Sequence, residues 1–296
     1  MPGVTDIEAA RRTLGPVGVL LPVTLTVPAP VDRQREAVGT LEHAGYRAAW
    51  TNELLGKDAL VQLSLLLGAT ERMAFGTGIA NIWLREPQTL HAAASLLAQG
   101  YPGRFVLGVG VGYPQQAEDV GRTFGRPVDT MRDYVSRMSG PTWVPVPEAE
   151  YPLVVAANGP KMLALAGKVA DGAFPAGQSP EFTRQAREVL GPDRLLVVGT
   201  SITLDGGRRT HPGDVVEAVR GHLGAGADHV VIMLPMGGEY EDGVRQLEQL
   251  APHVTGESWY PPDGARGGVT VGGGPTSSRS ASPHRVLWTR AGRAGR

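Results

Sequence analysis

Eight short, nearly uninterrupted runs of Val, Ile, Leu and Ala alternate along this chain with segments of helical periodicity. The runs are 17–22, 46–51, 73–79, 104–110, 152–157, 171–175, 195–203 and 228–234. Apolar character that is continuous rather than every second residue marks strands buried on both faces. The helical patterns between them are 32–44, 58–70, 86–99, 115–138, 160–170, 180–190 and 212–225, and 241–250 follows the last run. Asp32 is placed to cap the first of these, and Pro160 and Pro212 suit a first helical turn. Strict strand–helix alternation gives a parallel sheet. Eight units favour closure into a (β/α)8 TIM barrel, because an open doubly wound sheet typically has about five or six strands.

That barrel accounts for residues 1–256 as a single domain. Residues 257–296 form a different text, rich in Gly, Ser, Pro and Arg, with no acidic residue after Asp263. They lack any helix or strand period and cannot bury enough apolar surface to offset their ordering entropy, so the tail is expected to be disordered. Net charge is -1, which gives no electrostatic footprint for nucleic acid or an anionic membrane. Cysteine is absent, which removes disulfides, thiolate metal sites and thiol nucleophiles. The seven histidines are scattered without HxH or HExxH spacing, so no metal site is expected. No GxSxG elbow occurs, which argues against a hydrolase triad. The first dozen residues carry Asp6 and Glu8 and no apolar run, and no stretch approaches the roughly 18 apolar residues of a membrane span. A cytoplasmic protein is expected.

In a barrel of this type the chemistry sits where strands end and the following loops begin. Gly108, Gly110 and Gly112 alternate at one such exit. Glycine packs nothing, so its use there suggests close approach of a ligand or of another backbone; tight packing alone would explain it equally well. The spacing is not that of a dinucleotide fingerprint. At the next exit, Ala156-Ala157-Asn158-Gly159-Pro160-Lys161 runs into a helix N-terminus, where free N–H groups and the positive dipole end suit a phosphate; an ordinary strand-to-helix loop is the alternative. Gly76-Thr77-Gly78-Ile79-Ala80-Asn81-Ile82-Trp83 leaves the third strand, with Trp83 either a pocket wall or loop packing. Asn52 and Glu53 leave the second strand, and a carboxylate there could act as acid or base or merely cap a helix.

Taken in order, Gly76 to Ile79, Gly103 to Gly110, Ala156 to Pro160, Ala170-Asp171-Gly172-Ala173 and Gly224 to Val230 resemble the luciferase-like monooxygenase superfamily, and within it the actinobacterial branch that uses deazaflavin coenzyme F420. The resemblance covers about residues 15–252. It implies a bulged third strand with a non-proline cis peptide at Gly78–Ile79, and commonly a homodimer. It implies that Gly78, Ile79 and Ala80 back the deazaflavin ring. The phosphate-bearing arm would lie along Gly110, Val111, Gly112 and Tyr113 and on Ala157, Asn158, Gly159 and Pro160. Hydride would pass between the cofactor and a small organic substrate, with Glu53 handling a proton, Asn52 orienting it and Trp83 walling the pocket. FMN on the same fold is the alternative cofactor, giving a monooxygenase; a cofactor-binding barrel without catalysis is a third reading. Several relatives carry Asp-His where this chain has Asn52-Glu53, and sugar-phosphate dehydrogenases of the family carry Glu in place of Tyr113.

Overall fold

The computed structural model describes residues 6–202, 211–256 and 259. Nine parallel segments join in the order β3-β2-β1-β9-β8-β7-β6-β5-β4, and an extra pairing of β3 with β5 closes the ring. They are β1 Val17–Leu20, β2 Ala48–Thr51, β3 Ala74–Thr77, β4 Ala80–Asn81, β5 Phe105–Gly110, β6 Leu153–Val155, β7 Gly172–Ala173, β8 Leu195–Ser201 and β9 His229–Met233. Both β3 and β4 pair with β5, through Phe75↔Phe105 and Ala80↔Val109. They are therefore two halves of one stave, and the third strand carries one more residue than its neighbour over that stretch. This is a bulge, and the Gly78–Ile79 peptide within it is cis. The fold is a closed eight-staved (β/α)8 barrel, as the strand–helix alternation predicts.

The helices are α1 Ile7–Leu14, α2 Val31–His43, α3 Ala59–Leu67, α4 Pro87–Gly100, α5 Pro114–Glu118, α6 Pro127–Met138, α7 Pro160–Val169, α8 Pro180–Leu190, α9 Pro212–Gly224 and α10 Tyr240–Val254. Three differ from the sequence-based expectation. The single helix expected over 115–138 is two, because Gly121 and Gly125 adopt φ 70 and φ 62 beyond the end of α5 and Pro127 opens a new first turn, conformations that a continuous helix does not hold. The cap of α2 is Pro30, and Asp32 lies in the first turn instead. Finally, α1 precedes the first strand; its apolar positions are too few to stand out, yet Asp6 caps it through the Ala9 N–H at 2.9 Å.

Side-chain alternation along each strand separates two apolar layers. Val17, Val19, Phe75, Leu107, Val109, Val198 and Val230 point outward and pack under the helices. Leu20, Ala48, Trp50, Val106, Val154, Phe174, Leu195, Val197 and Val231 point inward, and Leu14 from α1 joins them. Trp50 dominates the interior, with its ring centroid 5.1 Å from that of Phe174 in an edge-on contact. A β-carbon at Gly76 would overlap the Trp50 ring, so the glycine of one stave makes room for the indole of the next. The indole N–H donates to His229 Nε2 at 3.0 Å. Since an indole can only donate, His229 must carry its proton on Nδ1, which donates to the Gly15 carbonyl at 2.6 Å. This buried histidine ties α1 to the barrel floor, and burial lowers its pKa to about 4. Of the tail, only Trp259 lies within the described residues, with Arg220 over its ring at 5.2 Å; the expectation for the rest falls outside them.

Candidate functional site

The exits of β1, β2 and β9 gather on one side of the mouth. The segment after β1, 21–31, has no ionisable residue. It is tied to the segment after β9 by the Gly237 N–H donating to the Val23 carbonyl at 2.7 Å. Leu25 is 60 % exposed, Val27 72 % and Met236 39 %. Asn52 is half-buried beside them, its Nδ2 3.8 Å from the Met236 sulfur. Its Oδ1 accepts from Lys57 Nζ at 2.8 Å, and the same ammonium donates to Thr51 Oγ1 at 2.7 Å. Thr51 Oγ1 donates to Gln62 Oε1 at 2.7 Å, and Gln62 Nε2 donates to Gln34 Oε1 at 2.7 Å. Burial lowers the Lys57 pKa to about 8, against the attraction of Glu53.

Glu53 does not face the mouth. It is 2 % exposed, and its oxygens accept from the Asn81 N–H at 2.9 Å, the Ala59 N–H at 3.2 Å and Arg85 Nη1 at 2.8 Å. Arg85 also pairs with Asp58 at 2.7 Å, and Asp58 caps α3 through the N–H groups of Leu60 and Val61. The carboxylate expected to handle a proton thus knots the β2 exit, the β4 exit and the start of α3 together. All its acceptor positions point at donors it cannot release without opening these loops.

The other side of the mouth, from β3 to β7, is built of small residues. Gly78 and Ile79 are half-exposed there, beside half-exposed Ala156. Several residues expected on the cofactor surface lie elsewhere. Gly110 is buried, and a β-carbon on it would sit 2.7 Å from the Ile79 side chain, so its smallness serves Ile79. Ala80 and Ala157 are fully buried in the outer layer under the helices. Trp83 is buried as well; its indole N–H donates to the Val111 carbonyl at 2.7 Å and its ring packs 5.8 Å from Phe124. It links two loops rather than walling a pocket. Val111 and Gly112 are half-exposed and Tyr113 is 61 % exposed. Gly112 takes φ 53, and a β-carbon there would overlap the Gln116 carboxamide that accepts the Tyr113 N–H at 2.9 Å. A side chain at Gly112 would therefore disturb α5 itself before meeting any ligand.

At the β6 exit, Asn158 is exposed and its Oδ1 accepts the Ala176 N–H at 2.9 Å, which holds this loop to the next. Gly159 is the N-cap of α7, offers no side-chain cap, and a β-carbon on it would meet nothing within 4 Å. With Pro160 in the first position, the N–H groups of Lys161 and Met162 are left for an external acceptor. Lys161 is exposed beside them. A ten-residue helix with an open, uncapped N-terminus fits an anionic group. A surface depression between α2 and α10, lined by Glu36, Thr40, His43 and Glu248, lies in the helical layer and not at the strand exits. Among the described residues, no cluster of three or more His, Asp or Glu could hold a metal, and no helix is long and apolar enough to cross a membrane.

Sequence reasoning missed Lys57, Arg85 and the Leu25–Met236 rim. Only Lys57 left a signal, as a cation within a few residues of a strand exit; the others are brought in by loops distant in sequence.

Comparisons with known proteins agree with this architecture. A protein of Mycobacterium tuberculosis whose name assigns it, provisionally, to the coenzyme F420-dependent oxidoreductases is 28 % identical over 54 % of this chain and 56 % of its own. A 5,10-methylenetetrahydromethanopterin reductase of Methanolobus tindarius is 25 % identical over 44 % of this chain and 46 % of its own. The chain spans about half the length of the curated relatives it matches. Among solved structures, the coenzyme F420-dependent tetrahydromethanopterin reductase of Methanopyrus kandleri superposes with a TM-score of 0.62 at 16 % identity, covering 81 % of this chain and 99 % of that one. The oxygenating constituent of 3,6-diketocamphane monooxygenase from Pseudomonas putida, solved with FMN, gives 0.60 at 15 % identity over 82 % and 98 %. The family model of the luciferase-like monooxygenases matches residues 16–190. With its strands closed in a ring, its third stave bulged and that match spanning more than half its length, the chain belongs to the luciferase-like monooxygenase family.

Proposed function

We propose that this chain is an oxidoreductase that holds deazaflavin coenzyme F420 at the mouth of its barrel and reacts it with a small organic substrate. The observation that carries the reading is the uncapped α7 N-terminus at Gly159, open to solvent, on the same side of the mouth as the half-exposed Gly78–Ile79 ridge. The N–H groups of Lys161 and Met162, the Lys161 ammonium and the exposed Asn158 would hold the phosphorylated arm, and Gly78 and Ile79 would back the ring. When bound, the cofactor supplies a hydride donor or acceptor; the protein supplies its placement and the polarity around it. The carboxylate of Glu53 fixes the loops that frame the substrate side. The F420-dependent enzymes among the similar proteins support the deazaflavin, and an FMN-bound neighbour makes FMN the second candidate.

Gly159→Asp tests the phosphate site with two readouts of opposite sign. An aspartate at this N-cap would accept the orphan N–H groups and stabilise α7 by a few tenths of a kcal/mol over glycine. The same carboxylate would repel an incoming phosphate. Coenzyme F420 binding, followed by fluorescence, should weaken at least about tenfold while the melting temperature holds or rises. Undiminished affinity for both F420 and FMN moves the phosphate elsewhere. Tighter binding of FMN than F420 to the parent protein would favour the monooxygenase. A homodimer belongs to the same proposal, since exposed Val61 on α3 and Leu96 on the adjacent α4 offer apolar area for it; a monomeric sedimentation coefficient would refute that part.

A further inference from the structure

The geometry points to Asn52 as the hydrogen-bond donor that takes the oxygen of a neutral, aliphatic ketone or alcohol substrate, with Lys57 as the positioning residue that fixes its orientation. This deepens the proposed function and rests on its placement of the substrate at the mouth.

The orientation of a carboxamide is normally ambiguous, because its oxygen and nitrogen look alike. Here chemistry settles it. A lysine ammonium has donors and no acceptor, so the atom of Asn52 that meets Lys57 Nζ at 2.8 Å must be Oδ1. The NH2 is thereby turned the other way. Among the described residues its one hydrogen-bonding contact is the thioether of Met236 at 3.8 Å, and a thioether is a weak acceptor. Two N–H donors, polarised by an ammonium on the far side of the amide, are left nearly unspent. Lys57 is itself held from behind by Thr51, which continues into Gln62 and Gln34 on α3 and α2. The donor is therefore fixed by a chain of side chains anchored in two helices.

The surroundings define the rest of the substrate. Leu25 lies against Gly237, next to Met236, so that Leu25, Met236 and Asn52 form one continuous surface. The segments 21–31 and 234–238 on this side contain no charged residue. The nearby cation Arg85 is spent on Glu53 and Asp58. The Lys57 ammonium stands behind Asn52, committed to Asn52 Oδ1 and Thr51 and attracted by Glu53, so among the described residues an anionic substrate would find no unspent cation on this rim and would lose its hydration, whereas an aliphatic body with one acceptor oxygen would bury apolar area and satisfy Asn52.

The device is pH-dependent with a fixed sign. The charged groups around Lys57 are Glu53, its chain neighbour Asp58, and Arg85, which is paired to both; α3 and α2 connect to it only through Thr51, by the uncharged Gln62 and Gln34. As pH rises through about 8 the ammonium becomes an amine, which can accept as well as donate. The carboxamide is then free to turn its NH2 inward, and the substrate loses its donor.

The test is direct binding, by saturation-transfer NMR, of cyclohexanone and of cyclohexanecarboxylate to the full chain, with and without deazaflavin, at about pH 7 and about pH 9. Cyclohexanone should bind, about fivefold or more weaker at the higher pH, and the carboxylate should not. Asn52→Leu and Lys57→Met should each weaken cyclohexanone binding about tenfold at the lower pH, the loss of one hydrogen bond. Lys57→Arg, charged at both values, should keep the binding and remove its pH dependence. Unchanged affinity in Asn52→Leu, carboxylate binding as tight as the ketone's, no ketone binding by the parent protein, or a pH dependence surviving in Lys57→Arg each overturn the proposal. Ketone binding that follows these rules without any deazaflavin affinity sinks the cofactor reading alone; deazaflavin affinity without ketone binding sinks this one alone.

Discussion

Replacing Glu53 with Gln separates a structural carboxylate from a catalytic one. The side chain is fully enclosed, and its two oxygens share three donors, Arg85, the Asn81 N–H and the Ala59 N–H. A glutamine has the same size but must present an NH2 where one oxygen stood. That NH2 faces either the Asn81 or the Ala59 N–H, so one backbone donor loses its partner, at about 1–3 kcal/mol. Breaking a buried ion pair costs roughly 3–5 kcal/mol when a charge is stranded. Here the stranded cation is Arg85, which still reaches Asp58 and retains some solvent at 15 % side-chain exposure. Its share therefore falls below that range, to about 1 kcal/mol, and together with the orphaned N–H a total of about 3 kcal/mol is expected. For a domain of this size that corresponds to a melting temperature lower by about 6–12 °C. Differential scanning calorimetry of the parent, Glu53→Gln, Arg85→Met and the double variant provides the check. The double variant should lose about 2 kcal/mol less than the sum of the singles, because the first substitution already removes what the second would break. A midpoint for Glu53→Gln within about a degree of the parent, together with a collapse in turnover, would show that this carboxylate is free to react and that the structural argument is wrong.

Two further outcomes follow from the barrel interior. His229 is neutral in the folded protein, with its pKa lowered from 6.5 to about 4, so the unfolded chain binds the extra proton first as pH falls. Stability contributed by keeping it neutral is fully present above about pH 6.5 and drains away toward about pH 4; His229→Gln should flatten the denaturant midpoint across that window, and an equally steep profile in the variant would assign the pH dependence to other groups. Gly76→Ala should destabilise by about 1–3 kcal/mol, because the added methyl meets the Trp50 ring in a filled interior; chemical denaturation reads this, and a variant as stable as the parent would mean that Trp50 moves aside freely.

The two glycine-bearing exits show how differently sequence and structure constrain a site. At Gly159 the sequence alone announced a small-residue turn running into a helix, and the structure leaves that turn open. At Gly110 an identical argument from residue type fails, since the space goes to Ile79 from the bulged neighbouring strand. A glycine records that something comes close; whether it is a ligand or another stave depends on the register between strands whose paired residues, Ala80 with Val109 and Asn81 with Gly110, are far apart in sequence. Glu53 illustrates the same limit. Its place at a strand exit is legible, but Arg85 arrives from a loop whose approach is set by the bulge between β3 and β4.

What the chain determined by itself is therefore the barrel: the number of staves, their order, and the two apolar layers, all of which follow from apolar runs and helical periods that each segment carries locally. Three-dimensional packing decided which polar groups are spent and which are free. Glu53 and Asn52 are neighbours in sequence, yet one is locked by three donors in the interior and the other turns its amide toward the mouth. That choice is made by Lys57, Arg85 and Met236, whose positions depend on loops folding over a closed ring, and no local pattern in the sequence encodes where those loops meet.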